Sequence, residues 1–356
     1  MTESLMDRRG FLLGTSGVLA GASLARLRPA EAQARPKQLT MSNWGGEYGT
    51  FVKENVDVDF TKRYGVSVVH DPSADNAARI TKVKLSPPGT YDLLHLADSF
   101  FARAVDEGIL EPLNYRSPNF TNVPDVDPAA LTPYWPRATF NGMGIAYNPH
   151  MVKEPPVSWA DLWKPEYKGK IVVPGVNHSF GLYVIFFGAL AAGKDWKDVD
   201  TGFEMLKRLS DLRPVWSMDT PSIQKMFHRE EVAIGWLGKA ETLHAQTWGA
   251  KTQFAIPKEG GIFVQWGWGI VKGTKNLEWA EKYVNLSLDP EVQARYAAKW
   301  RYAGSNAKWV QHVDPDVRKR VEWTAEETKR LIVLDHSWIT KRRAELTERW
   351  NKIVSG

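Results

Sequence analysis

Residues 38–69 read QLTMSNWGGEYGTFVKENVDVDFTKRYGVSVV, and the change of pattern along this stretch decides the fold class. Residues 38–42 alternate polar and apolar, as a short strand does. Val52, Val56, Phe60 and Tyr64 then recur every four residues, which lays them along one face of a helix, and Gly65 supplies its stop. Val66, Ser67, Val68 and Val69 follow as a second strand. Strand, helix, strand in this order predicts a right-handed crossover and a parallel pair.

The same grammar continues outward. Strands are expected over residues 92–96, 170–173, 232–236 and 252–256. Helices are expected over 99–107 with Gly108 as cap, 180–192 ended by Gly193, 201–209, 240–248, 277–288 and 291–300. Two long extended stretches, 137–147 and 263–271, separate these groups, and residues 316–353 are mostly helical and charged. No internal repeat or low-complexity linker interrupts the chain. Alternating strands and helices place it in the α/β class, and two separated crossings imply two lobes sharing a hinge.

At the amino end, Asp7-Arg8-Arg9-Gly10-Phe11-Leu12 precedes a small-residue apolar stretch over 13–24 that is too short to span a membrane. This is the layout of a secretory signal peptide. The paired arginines resemble a twin-arginine export signal, and Ala32-Gln33-Ala34 offers a small-x-small cleavage site. A mature chain starting at Arg35 is therefore expected, passed outward by the Tat translocase into the periplasm. Cleavage removes four basic and three acidic residues and lowers the formal charge from +5 to +4. The basic groups that remain, such as Arg318-Lys319-Arg320 and Lys341-Arg342-Arg343, share helices with acids, so no nucleic-acid partner is expected.

The chain has no cysteine, which excludes disulfides, thiolate metal sites, cysteine nucleophiles and a lipidated amino-terminal cysteine. Its eight histidines form no close sequence cluster, and neither G-x-S-x-G nor H-E-x-x-H occurs. Gly142-Met143-Gly144 lacks the third glycine of a dinucleotide loop. Neither catalysis, a metal nor a cofactor is expected; an exported hydrolase is the rival class. No later stretch reaches about 18 uninterrupted apolar residues, so residues 35–356 are expected to form a free-floating soluble body.

Residues 158–169, SWADLWKPEYKG, resemble almost letter for letter the extracellular solute-binding proteins of ABC importers, specifically the spermidine/putrescine-binding group. Asn43-Trp44, the stretch 257–263 (PKEGGIF) and residues 276–294 agree, so the likeness spans nearly the whole mature chain. It implies a type II periplasmic-binding-protein fold: two lobes, each a mainly parallel sheet flanked by helices, closing about a hinge on a small-molecule solute. Residues 35–139 and 270–305 form the first lobe on this reading, 140–269 the second, and 306–356 carboxyl-terminal helices on the second lobe. The implied partners are the solute and the importer's transmembrane subunits, and the receptor is expected to be a monomer.

Open parallel sheets bind ligands beyond the carboxyl ends of their strands, and those loops here are aromatic. Trp44 follows the first strand, where glycines 45 and 46 permit close backbone approach. Asp98, Ser99 and Phe100 follow the third: Ser99 can cap the next helix, Asp98 can meet a cation or cap that helix, and the resemblance makes Phe100 a contact. In the second lobe Asn177 and Ser179 precede a helix, fit either to cap it or to hold an anionic group. Trp236 ends a strand where the family presents an indole, with Lys239 beside it. Trp266 and Trp268 lie two apart on a strand and share a face. The family's tyrosine contact maps onto Tyr302, next to Arg301. Two departures stand out: the family's amine-gripping acids are missing around residues 177–179, and its tryptophan and carboxylate in the second crossing are here Val264 and Trp266. Trp44, Phe100, Trp236, Trp266 and Tyr302 are thus expected to form an aromatic box. It suits a polyamine, or alternatively an amino acid, opine, aminophosphonate or aromatic acid.

Overall fold

The computed structural model describes residues 35–73 and 75–354; the expected signal segment, residues 1–34, lies outside them. Strand β1 (Gln38–Asn43) leads through α1 (Gly46–Val52), a π turn (Lys53–Asp57) and α2 (Val58–Tyr64) into β2 (Ser67–Pro72). Gly65 ends α2 at φ +67°, its N–H bonded to the Thr61 carbonyl at 2.7 Å, a left-handed cap that glycine takes without a Cβ clash. β1 and β2 are parallel, as the opening stretch requires.

Next come α3 (Asn76–Leu85), β3 (Leu93–Ala97), α4 (Asp98–Asp106) and the long β4 (Arg137–Tyr147). The second lobe holds β5 (Ile171–Pro174), α5 (Tyr183–Ala191), α6 (Val199–Asp211), β6 (Val215–Ser217), α7 (Thr220–His228), β7 (Ile234–Gly238), α8 (Lys239–Gln246) and β8 (Gln253–Ala255). The chain returns along β9 (Gly261–Ile270) to α9 (Leu277–Ser287), α10 (Pro290–Trp300) and β10 (Ala303–Gly304). It closes with α11 (Pro315–Val321), α12 (Ala325–Lys329), β11 (Leu331–Ile332) and α13 (His336–Val354).

The main strand order is β2-β1-β3-β9-β4-β7-β5-β6. Each flank is parallel: β1 with β2 and β3 on one side, β5 with β6 and β7 on the other. Between them β9 and β4 run antiparallel to each other and to the strands they join. Both are the long extended stretches of the sequence. β4 pairs with β9 through its first half and with β7 through its second, so these strands tie the two parallel flanks together.

Residues 158–169 explain themselves locally. Ser158 and Asp161 form a capping box, and Trp159 is buried with its indole N–H donating to the Gly260 carbonyl at 2.8 Å. Glu259 accepts from the Ser158 hydroxyl and, at 3.1 Å, from the Trp159 backbone N–H. Two of the sequence pieces that carry the resemblance therefore dock on one another and brace the second lobe. α13 carries Ile339, Leu346 and Trp350 into that lobe's core while packing against both α6 and α4.

Candidate functional site

Trp44 is half-buried just past β1, edge-on to Tyr48 and to His95, with ring centroids 5.0 Å away in each case. The Arg79 guanidinium, from α3, lies 5.3 Å from the Trp44 ring centre. Gly46 sits at φ +60° with nothing within 4 Å of where a Cβ would stand, so glycine is needed there for backbone conformation, not for close approach. Burial, then the Arg79 charge, drives the His95 pKa well below the usual histidine value, leaving a neutral ring whose Nε2 lies 3.2 Å from the Tyr48 hydroxyl.

Asp98 and Ser99 open α4 and are both buried. Asp98 Oδ1 accepts the Ser99 backbone N–H at 2.7 Å and lies 3.4 Å from His336 Nε2 of α13, while Oδ2 has no partner. Neither side chain makes the expected cap: Ala97 holds the N-cap position without a side-chain hydrogen bond, and Asp98 Oδ2 and Ser99 Oγ are both left over. Phe100 is half-buried, and Arg343 of α13 stands 5.9 Å from its ring centre. Burial, then the nearby Asp98 charge, pushes the Tyr183 hydroxyl well above its usual pKa.

On the second lobe, Trp236 is fully buried against Phe180 at 5.4 Å, and its indole N–H has no partner. Asn177 and Ser179 are exposed. The helix expected from residue 180 begins only at Tyr183, because residues 175–182 fold as tight turns; a Cβ at Gly181 would stand 2.2 Å from the Gly175 carbonyl oxygen. Neither Asn177 nor Ser179 therefore caps α5. His178 between them turns inward: its Nδ1 accepts the Phe180 N–H at 3.1 Å, and burial lowers its pKa to about 4.

Trp266 stacks on Tyr302 at 4.6 Å. The Tyr302 hydroxyl donates to Glu241 Oε1 at 3.1 Å, and Asn141 donates to Oε2 at 2.6 Å. Glu241, on the first turn of α8, is buried, and that burial raises its pKa. Trp236 and Trp266 belong to one large hydrophobic core, and Trp44, Phe100 and Tyr302 are half-buried against it; of these five, Trp266 and Tyr302 are the pair in ring contact among the described residues. Trp268 does not join that core: two residues along β9 it drops into the first lobe's core, 4.4 Å from His95 and edge-on to Tyr283. Lys239 points elsewhere, donating to the Glu322 carbonyl at 2.9 Å beside Trp323. Arg301 caps α10 at φ +63° with its guanidinium on the Ala298 carbonyl at 2.5 Å. Among the described residues no group of three or more histidine or acidic side chains is placed to hold a metal ion. No described helix is long and apolar enough to cross a membrane.

Arg79, His95, Tyr183, Glu241, His336 and Arg343 were not singled out from sequence. For Arg79 a signal exists: Asn76, Arg79, Ile80 and Val83 have the spacing of a buried helical stripe, and a charge lies on it.

The spermidine/putrescine-binding periplasmic protein of Escherichia coli is 27% identical over 313 residues, covering 84% of this chain and 86% of its own. The gamma-aminobutyric acid-binding protein of Pseudomonas aeruginosa is 22% identical over 342 residues, covering 90% of this chain and 92% of its own. An ABC transporter structure from Clostridium perfringens superposes with a TM-score of 0.75 at 26% identity, over 89% of this chain and 99% of that one. The likeness to solved structures places the fold as type II periplasmic binding. Residues 89–327 match the family profile described as bacterial extracellular solute-binding protein, and the chain belongs to that family.

Proposed function

We propose that this protein is the periplasmic receptor of an ABC importer. It leaves the cytoplasm through the twin-arginine route, is cleaved after Ala34, and works as a free, unanchored monomer without chemistry on its cargo. It closes on a small amine-bearing organic solute and presents it to the importer's membrane subunits. The observation that carries this reading is that Trp44, Phe100 and Tyr302 stand half-buried against the core that holds Trp236 and Trp266, with Trp266 stacked on Tyr302. Aromatic faces attract an ammonium group, and Asp98 keeps one buried carboxyl oxygen without a partner. The names of the E. coli and P. aeruginosa relatives agree on an amine and differ on what the rest of the solute carries.

A thermal-shift screen of residues 35–356 tests the reading with putrescine, spermidine, γ-aminobutyrate, opines, aminophosphonates and aromatic acids. A solute held by the native state alone adds about 2.7 kcal/mol at a hundredfold excess over Kd, so at least one amine should raise the melting temperature by several degrees. A flat response to the whole panel would remove the receptor assignment.

A further inference from the structure

Arg79 is fully buried, yet it has no ion-pair partner among the described residues. One guanidinium nitrogen donates to the Asn76 side chain; Nε and Nη1 donate to nothing. Burying a cation costs several kcal/mol unless a counter-charge compensates it, and an uncompensated guanidinium is not a stable way to fill a core. Asp75, at the start of α3, acts on it only through space. Burial lowers the Arg79 pKa to about 9, which leaves the side chain charged at neutral pH.

β1 ends beside the Trp44 that Arg79 faces, and it too holds buried polar groups without partners. The two β1 residues before Trp44 each leave a buried polar atom without a partner: Ser42 Oγ and Asn43 Nδ2. The amide nitrogen and both guanidinium nitrogens can only donate, and the hydroxyl can do so as well. Among neighbours, Tyr48 and neutral His95 bring no negative charge. This set lies at the carboxyl ends of β1 and β3, where open parallel sheets take their ligands, and Arg79 borders the Trp44 face of the aromatic group.

We propose that Arg79 is an anion-binding station of the cleft, and that the solute is a zwitterion presenting a carboxylate there. The missing group is one with acceptors and a negative charge, and a carboxylate supplies both in a charge-assisted hydrogen bond. A polycation has nothing to offer these donors and adds a second positive charge beside a buried one. The proposal rests on the receptor reading for the place where solute sits, and it narrows that reading to one solute class.

Matched pairs of solutes test it by calorimetric titration of residues 35–356: γ-aminobutyrate against putrescine, 5-aminovalerate against cadaverine, and 6-aminohexanoate against 1,6-diaminohexane. Each pair shares a chain and one ammonium and differs at the other end. In at least one pair the carboxylate member should bind about 100-fold tighter than the diamine, the scale of losing one partner of a buried charge pair. Arg79→Met should erase that preference, and Arg79→Lys should keep part of it. If Arg79→Met does not fold, the wild-type preference and Arg79→Lys still decide. Equal or tighter binding of the diamines, or a carboxylate preference that survives in Arg79→Met, overturns the anion station and leaves the receptor reading standing. Absence of binding by every carboxylate member also overturns it. The receptor reading falls separately, only if the polyamines and the wider panel fail as well.

Discussion

The two oxygens of Glu241 accept from Tyr302 and Asn141 beneath the Trp266–Tyr302 stack, and water is kept away from both. Burial penalises the charged form more than these hydrogen bonds support it, so the folded chain protonates Glu241 at higher pH than the unfolded chain does. The contribution to stability is full below the ordinary carboxylate range and is lost as pH rises through the raised folded value. Glu241→Gln removes this titration. Thermal melts of both proteins between about pH 4 and about pH 7 should show the wild type losing ground to the variant as pH rises; a constant or widening wild-type advantage would refute the assignment. The same burial governs mutational tests of the aromatic group, because Trp236 is fully enclosed and its truncation to alanine costs about 3–5 kcal/mol of stability before any effect on binding. Trp236→Phe is the variant to use for affinity. Aromatic side chains at strand ends were readable one by one from sequence, whereas nothing local marked Glu241, whose partners Tyr302 and Asn141 lie far along the chain.

Among the elements, α3 carries the most unexpected chemistry and owes its start to one side chain. Asp75 caps it by accepting the Ala77 and Ala78 N–H groups at 2.7 and 3.2 Å. Asp75→Ala should lower stability by about 1 kcal/mol, seen as a smaller urea midpoint at unchanged slope; an unchanged midpoint would mean the cap is not used. The strand-helix-strand opening was legible because its apolar spacing changes cleanly from two to four and glycine punctuates it. α5 was legible as a helix but not in its start, since Phe180 is as apolar as the helix proper, and only the turn around Gly181 moves the first helical residue to Tyr183. That shift takes Asn177 and Ser179 out of the capping position their residue types suit.

At the scale of the molecule, β4 and β9 join two parallel flanks, and Trp266 on β9 stacks on Tyr302. Solute drives closure only by binding the closed arrangement better than the open one. Small-angle scattering of residues 35–356 should therefore give a smaller radius of gyration with a stabilising solute than without it; identical curves at saturation would show that binding and closure are uncoupled. α13 packs against α4 and α6 and brings His336 to Asp98 and Arg343 to Phe100.

The sequence by itself determined the α/β class, both crossing strands, the family and the aromatic loops, because periodicity, glycine stops and contiguous motifs are properties of neighbouring residues. Only the tertiary structure decided that Trp266 meets Tyr302 while Trp268 enters the other core, that Lys239 and Arg301 turn to carbonyls away from the aromatic group, and that Arg79 is buried without a carboxylate. Those outcomes depend on which groups from distant parts of the chain share a dry environment. A charge is costly or harmless according to that environment, and no local pattern records it.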